Sequence, residues 1–120
     1  MKVLVVDNSK TMRMIVKRGI RQAGFEAHEI LEAESGIEAI EAVKRDKPDL
    51  VLCDWNMPGM NGIDVLKALR ADNIGVPFGF ITSEGTAEMQ AQASEAGAQF
   101  YIAKPFTNER LQQELGRFLS

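Results

Sequence analysis

A small set of chemically useful side chains stands at the ends of four short apolar runs: Asp7 and Asn8, Asp54, Thr82, and Lys104. A carboxylate can act as a nucleophile and form an aspartyl phosphate, and one or two carboxylates can hold Mg²⁺. A lysine ammonium places a compact positive charge against phosphoryl oxygens, and a threonine hydroxyl can donate a hydrogen bond to one. The set therefore predicts phosphoryl transfer to a carboxylate, with Asp54 as the nucleophile.

The apolar runs alternate with helical patterns, and this alternation predicts the elements that position those side chains. We expect strands over 3–6, 28–32, 50–53, 78–81 and 100–103, and helices over 9–23, 35–46, 62–71, 86–96 and 108–119. Five such units favour an α/β fold, a doubly wound parallel (βα)5 sheet with helices on both faces. The unbroken apolar runs suit central strands, and the polar second run suits an edge.

Apolar spacings of three and four residues predict which helix faces are buried. The inward residues of the first helix are Met12, Ile15, Val16, Gly19, Ile20 and Ala23; Ile37, Ile40 and Val43 lead the second; Ile63, Leu66 and Leu69 line the third; Leu111, Leu115, Phe118 and Leu119 line the last.

In parallel sheets of this kind the functional crevice lies beyond the carboxyl ends of the strands. Each residue has a plainer interpretation when taken alone: Asp7 as a turn or helix-capping residue, Thr82 as the end of a strand, and Lys104 as a solvated loop lysine. It would be a coincidence for four strand ends to carry such residues independently. We therefore interpret these residues as parts of one site.

Composition excludes several classes of protein. The chain has 120 residues, one domain at typical sizes, and a formal net charge of −3, a poor match for nucleic-acid binding. One cysteine and one histidine exclude an internal disulfide, a cysteine-rich zinc site and a multi-histidine metal centre. No apolar stretch approaches a membrane span. We expect a cytoplasmic monomer that binds neither membrane nor nucleic acid.

As a set, several motifs resemble the receiver domain of two-component response regulators, and most of all the single-domain regulators of chemotaxis. They are Val5-Val6-Asp7, Thr11-Met12-Arg13, Asp54-Trp55-Asn56-Met57-Pro58-Gly59, Thr82, Gly97-Ala98 and Lys104-Pro105-Phe106. The resemblance covers residues 1–120 and implies a flavodoxin-like sheet of strand order 2-1-3-4-5, without an effector domain. It also implies a signalling protein that is at most a slow autophosphatase.

The resemblance assigns a role to each residue of the set. Asp54 is implied as the phosphoacceptor, Thr82 and Lys104 as the pair that senses the phosphoryl group, and Tyr101 as the switch aromatic whose ring swings inward. The implied Mg²⁺ ligands are Asp7, Asn8, Asp54 and the carbonyl of Asn56. The resemblance also implies that Asn56 and Glu84 tune the rate of dephosphorylation. It further implies that the Lys104–Pro105 bond is cis. The alternative for Tyr101 is an edge-strand aromatic with its hydroxyl in water.

Asn8 departs from the family, in which two adjacent acids are usual. A divalent ion about 4 Å from a unit charge gains roughly 2 kcal/mol in water, more than tenfold in affinity. We therefore expect weak Mg²⁺ binding and slow phosphorylation. Removing a carboxylate also lowers repulsion in the pocket, which favours a compact or partly active-like metal-free form.

The expected partners are a histidine kinase or phosphotransfer domain, docking at the basic first helix with Lys10, Arg13, Lys17, Arg18 and Arg21; a solvated helix face is the alternative. The flagellar motor switch is a weaker candidate, because residues 86–98 contain no Lys or Arg. Two other functions were weighed: a receiver-fold binding module or phosphate sink without efficient phosphorylation, and a flavin protein, which Asp7 disfavours by repelling a cofactor phosphate. The absence of a glycine-lysine motif excludes a P-loop enzyme.

Overall fold

Five parallel strands form the sheet of the computed structural model, which describes residues 1–26 and 28–119. They are β1 (Lys2–Val6), β2 (Glu29–Ala33), β3 (Leu50–Cys53), β4 (Phe78–Thr82) and β5 (Phe100–Ala103), in the order β2-β1-β3-β4-β5. All pairings are parallel, and Val6 lies in register with both Ala33 and Cys53. The predicted α/β fold, its strand order and the polar edge strand are confirmed.

Among the described residues an α-helix follows each strand: α1 (Lys10–Ile20), α2 (Gly36–Asp46), α3 (Gly62–Ala71) and α4 (Ala87–Glu95) connect successive strands, and α5 (Asn108–Leu115) follows the last one. Four of them begin after a hydroxyl residue whose side chain accepts a backbone N–H of the first turn: Ser9, Ser35, Thr86 and Thr107. Such caps satisfy amide groups that lack a partner within the helix. They fix where each loop at the carboxyl edge of the sheet ends.

Two apolar cores lie on opposite faces of the sheet. One packs α2, α3 and α4 against the sheet around Leu66, Phe78 and Phe80, and the other packs α1 and α5 around Ile20 and Leu111. β1, β3 and β4 are buried almost throughout, because both of their faces are covered. No helix among the described residues is long and apolar enough to cross a bilayer.

One predicted helix end is confirmed and one is wrong. α1 passes after Ile20 into a π-helical turn over Arg21–Phe25, and Gly24, with a φ of 104° that favours glycine, interrupts the helical backbone directly after the predicted end at Ala23. α5 ends at Leu115, four residues early, although Leu119 beyond it is buried.

Two isoleucines that were predicted to face inward are exposed. Ile37 is 65% exposed and Ile15 is 43% exposed. The inward face of α2 is formed by Ala39, Ala42 and the predicted Val43, and the predicted Ile40 packs against the same core. Small residues allow these helices to pack closely. A Cβ on Gly19 would lie 2.8 Å from the Leu111 side chain, so α1 packs against α5 through Gly19 rather than through Ile15.

Candidate functional site

Two carboxylates and one ammonium meet at the carboxyl edge of the sheet, just beyond β1, β3 and β5. Lys104 Nζ lies 3.1 Å from Oδ2 of Asp7 and 3.8 Å from Oδ2 of Asp54. The side chains are 13% exposed for Lys104, 5% for Asp7 and 14% for Asp54. Because water is largely excluded, these charges act on one another more strongly than they would at an open surface.

Asp7 is held by each of its polar groups. Its N–H donates to the carbonyl of Ala33 on β2 (3.1 Å), and its Oδ1 accepts the N–H of Ser9 (2.9 Å). Its carbonyl accepts a hydrogen bond from Nη1 of Arg13 (2.7 Å). The turn from β1 into α1 therefore points the Asp7 carboxylate toward Lys104.

Asp54 follows β3 and is fixed by its neighbours along the chain. Its N–H donates to the Val6 carbonyl (2.9 Å), and its Oδ1 accepts the N–H of Trp55 (2.8 Å). The start of α3 lies tight against it: a Cβ on Gly62 would stand 2.2 Å from the Asp54 carbonyl oxygen. Only glycine allows this approach without a backbone shift.

Burial raises the pKa of the Asp54 carboxyl, and the negative charge of Asp7 raises it further. The Lys104 ammonium, the Trp55 N–H and the Thr82 hydroxyl each act in the opposite direction on this pKa. Burial likewise raises the pKa of the adjacent Cys53 thiol well above its usual value, so that Cys53 stays a protonated core residue. The ionisable chemistry of the pocket therefore centres on the two carboxylates and Lys104.

Glu84, on the loop after β4, connects the remaining predicted residues. Thr82 is fully buried, and its Oγ1 accepts the N–H of Glu84 (3.3 Å). Asn56 Nδ2 donates to the Glu84 carboxylate, and the Tyr101 hydroxyl donates to the Glu84 carbonyl. Glu84 is therefore hydrogen-bonded to all three of these residues, Thr82, Asn56 and Tyr101.

The Tyr101 ring points inward in this structure. Its centroid lies 6.0 Å from that of Phe80 and 6.3 Å from that of Trp55. Its hydroxyl donates to the Glu84 carbonyl at an exposed position of the edge strand β5, so the switch role and the edge-strand alternative both stay predictions. Burial is the main cause that raises the pKa of this hydroxyl, so it remains a donor at neutral pH.

The donor set fits Mg²⁺. The Oδ2 atoms of Asp7 and Asp54 face a common cation position, and hard oxygen ligands of this kind are those that Mg²⁺ prefers. Among residues 1–26 and 28–119, however, no group of three or more acidic, histidine or cysteine side chains comes together. Asn8 is exposed, and the carboxylates brought together here are those of Asp7 and Asp54.

Two contacts were not anticipated from the sequence. Arg13 was interpreted as part of a motif and of a basic helix face, but it bonds the Asp7 carbonyl and Glu32. A signal for it was available: a cation near a helix N-terminus opposes the helix dipole, which indicates a local acceptor. The bond from Tyr101 to the Glu84 carbonyl carried no signal, since a backbone acceptor leaves no mark in the sequence.

The chain matches known families and proteins over nearly its whole length. Residues 3–116 match the family model described as the response regulator receiver domain. The chain belongs to this family. Receiver domains are signalling modules of two-component response regulators and generally not enzymes.

The receiver's curated relatives include the chemotaxis protein CheY-3 of Vibrio cholerae, 44% identical over 98% of this chain and 90% of that protein. Chemotaxis protein CheY1 of Helicobacter pylori is 46% identical over 96% of this chain and 94% of that protein. Among solved structures, chemotaxis protein CheY4 of Vibrio cholerae has a TM-score of 0.86 at 32% identity, covering 98% of both chains. The receiver domain of a putative LuxO repressor from Vibrio parahaemolyticus has a TM-score of 0.89 at 26% identity, covering 98% of this chain and 88% of that one.

In this receiver the implied cis peptide bond between Lys104 and Pro105 is present. The sequence-predicted residues Asp7, Asp54, Thr82 and Lys104 lie together, with Asn56, Glu84 and Tyr101 in contact beside them. Their chemical roles remain predictions.

Proposed function

We propose that this receiver accepts a phosphoryl group on Asp54 from a histidine kinase or phosphotransfer domain and signals through a phosphorylation-dependent switch, in chemotaxis. The observation that carries the proposal is the sharing of one ammonium, that of Lys104, by the buried carboxylates of Asp7 and Asp54. Two carboxylates and one ammonium leave the pocket with a net negative charge, which an added cation would balance. The pocket presents a nucleophile and the groups that neutralise an incoming phosphoryl group together.

The transfer itself is a displacement at phosphorus. A carboxylate oxygen of Asp54 forms the new O–P bond while the P–N bond to the donor histidine breaks, and the imidazole nitrogen keeps that electron pair. Lys104 then turns from the carboxylates toward the phosphoryl oxygens, and the Thr82 hydroxyl donates to one of them. The protein's part is positioning and charge balance.

The candidate Mg²⁺ ligands are Asp7, Asp54, Asn8 and the carbonyl of Asn56. When bound, Mg²⁺ supplies positive charge opposite the oxygens of the transferred group. Because Asn8 replaces a carboxylate, we propose that this metal binds weakly. Lys104 already neutralises Asp7 in its absence.

Thr82, Glu84 and Tyr101 form the proposed switch. Thr82 Oγ1 is bonded to the Glu84 N–H, and the Glu84 carbonyl to Tyr101. When Thr82 turns its hydroxyl to the phosphoryl group, it releases the Glu84 N–H and so disturbs the loop that holds Tyr101. The inward ring supports a free form that is already partly active-like.

Asn56 and Glu84 form the proposed pair that tunes dephosphorylation. Their side chains contact each other two residues beyond Asp54 and Thr82. Since they act as a unit, Asn56→Ala, Glu84→Ala and the double variant should change the phosphoryl lifetime by similar factors instead of additively. Additive effects in a hydrolysis assay would contradict the pairing.

We propose that the kinase docks on α1, but with fewer of its basic residues than the sequence alone suggested. Arg13 and Lys17 are both paired with Glu32, so the exposed cations that remain for a partner are Lys10, Arg18 and Arg21. The exposed side chain of Met14 lies between them on the helix.

Binding to the flagellar motor switch is the less supported part of the proposal. α4 has no Lys or Arg and buries only Ala93, while Arg110 of α5 and Arg117 just beyond it are both paired with Glu114. We expect no capture by an N-terminal motor-switch peptide, with or without a beryllofluoride phosphate mimic. Mimic-dependent capture would establish the motor as the output.

A second candidate, a receiver-fold binding module that works without efficient phosphorylation, is favoured by Asn8 and by the Lys104–Asp7 pair. Incubation with Mg²⁺ and acetyl phosphate separates the two. The phosphoacceptor proposal expects an acid-stable, base-labile mass gain of one phosphoryl group, which Asp54→Asn abolishes. No mass gain would move the assignment to the binding module.

A further inference from the structure

Arg13 bridges two elements next to the pocket without facing the proposed chemistry. Its Nη1 donates to the Asp7 carbonyl at 2.7 Å, and its Nε donates to Glu32 Oε1 at 3.0 Å. Its side chain is only 11% exposed. The guanidinium therefore joins the first turn of α1 to the end of β1 and to β2.

Glu32 is itself held on its other side. Its Oε2 accepts a hydrogen bond from Lys17 Nζ at 3.0 Å, so the carboxylate lies between two cations. Only one of these cations, Arg13, reaches the Asp7 backbone. Lys17 thus offers a matched comparison: the same carboxylate at the same distance, without the contact to Asp7.

The Asp7 carbonyl lies in the segment that carries the metal-facing groups. Asp7 is 3% exposed, so water cannot readily replace a lost donor, and an unsatisfied buried acceptor is costly. Ser9, two residues on, is fixed to Asp7 Oδ1 through its N–H. Loosening the carbonyl therefore frees the turn that orients both Asp7 and Asn8.

We propose that Arg13 is a positioning residue for Mg²⁺: by fastening the Asp7 carbonyl to β2 through Glu32, it sets the orientation of a metal site that is one carboxylate short. The inference rests on the proposed function for its metal. A guanidinium suits the task because its rigid fork spans two acceptors at once, which an ammonium cannot do in the same way.

Charge and positioning act in opposite directions here, and this makes the inference testable. Removing a cation near a Mg²⁺ site favours the ion electrostatically. If Arg13 mattered only through its charge, its loss would tighten binding. Weaker binding after its loss reports the lost positioning.

The experiment compares the wild-type protein with Arg13→Gln, Arg13→Lys and Lys17→Gln. Mg²⁺ alone is titrated against Trp55 fluorescence, and exchange of the Ser9 amide hydrogen is followed in metal-free buffer. We expect Arg13→Gln to lower the affinity for Mg²⁺ by about tenfold, as for other residues that hold a metal ligand in place. Arg13→Lys keeps the charge and should also weaken it, while Lys17→Gln should stay within about twofold.

Ser9 exchange should accelerate in Arg13→Gln and not in Lys17→Gln. Binding in Arg13→Gln as tight as or tighter than in the wild type, or equal losses in Arg13→Gln and Lys17→Gln, would overturn the inference. A wild type that binds no Mg²⁺ would instead contradict the metal part of the proposed function. In that case the exchange comparison alone decides, and unchanged Ser9 exchange overturns the role of Arg13.

Discussion

The Lys104 ammonium lies nearer to Asp7 than to Asp54, 3.1 Å from one Oδ2 and 3.8 Å from the other. It acts as the counter-ion of both carboxylates, and it holds them at a separation that two unbalanced charges would oppose.

Replacing Lys104 by methionine should therefore leave two partly buried carboxylates without their cation. In metal-free buffer we expect the free energy of unfolding to fall by about 3 kcal/mol, because breaking a buried pair leaves an uncompensated charge. Urea unfolding measures it, with Lys67→Met, an exposed lysine on α3, as the control. Equal stability of the two variants would show that Lys104 is not the counter-ion.

Restoring the missing carboxylate should strengthen the metal site. Asn8→Asp adds a unit charge that contributes roughly 2 kcal/mol toward a divalent ion at 4 Å in water, more than tenfold in Mg²⁺ affinity. The same change should lower metal-free stability through repulsion with Asp7 and Asp54. Trp55 fluorescence reports the affinity, and Asn73→Asp, after the far end of α3, controls for net charge. Unchanged affinity in Asn8→Asp would mean that position 8 does not face the ion.

The close approach of α3 to Asp54 gives a steric prediction. Gly62→Ala would place a Cβ 2.2 Å from the Asp54 carbonyl oxygen, whereas Gly75→Ala meets nothing within 4 Å. We expect Gly62→Ala to cost about 2 kcal/mol of stability and to slow phosphorylation by acetyl phosphate, since the backbone of Asp54 must shift. Gly75→Ala should change stability by less than about 0.5 kcal/mol. Similar behaviour of the two variants would contradict the tight contact.

The ion pairs of Glu32 predict a pH dependence of stability. Lys17 is the largest cause that lowers the pKa of Glu32, and Arg13 lowers it too. A carboxyl whose folded-state pKa is depressed adds stability that is present above its unfolded-state pKa and is lost as the pH falls through the folded-state value. Because Glu32 is exposed and solvent screens its ion pairs, Glu32→Gln should cost only about 0.5 kcal/mol at pH 7.

That difference between Glu32→Gln and the wild type should vanish under acidic conditions, below the depressed pKa. Thermal unfolding across the pH range checks this, with Glu29→Gln on the same strand as the control. A Glu32→Gln deficit that persists unchanged in acid would show that its cause is packing rather than charge.

Much of the fold could be predicted because local patterns and global topology agree. The apolar runs of β3 and β5 and the bounds of α3 were predicted as they occur. The end of α5 was harder, because Leu119 is buried and fits the apolar spacing, but the helix ends at Leu115. Ile37 and Ile15 matched the helical spacing of apolar residues but face solvent, because glycine and alanine form the surfaces by which α1 and α2 pack.

The site was predictable in its residues but less so in its connections. Because Asp7, Asp54, Thr82 and Lys104 stand at the ends of predicted parallel strands, the sequence predicted that they would lie at one edge of the sheet. The sequence could not show which carboxylate Lys104 prefers, since that depends on side-chain reach across β1, β3 and β5. Contacts to backbone carbonyls, those of Arg13 with Asp7 and Tyr101 with Glu84, depend on loop conformation rather than residue type.

Chemical trapping tests most directly whether Asp54 is the phosphoacceptor. After incubation with Mg²⁺ and acetyl phosphate, borohydride reduction converts an aspartyl phosphate to homoserine, which peptide mass spectrometry locates in the chain. We expect homoserine at position 54 alone, with none in Asp54→Asn and an unchanged yield in Asp64→Asn. Homoserine at another aspartate, or none in the wild type under conditions that label a known receiver, would contradict this role of Asp54.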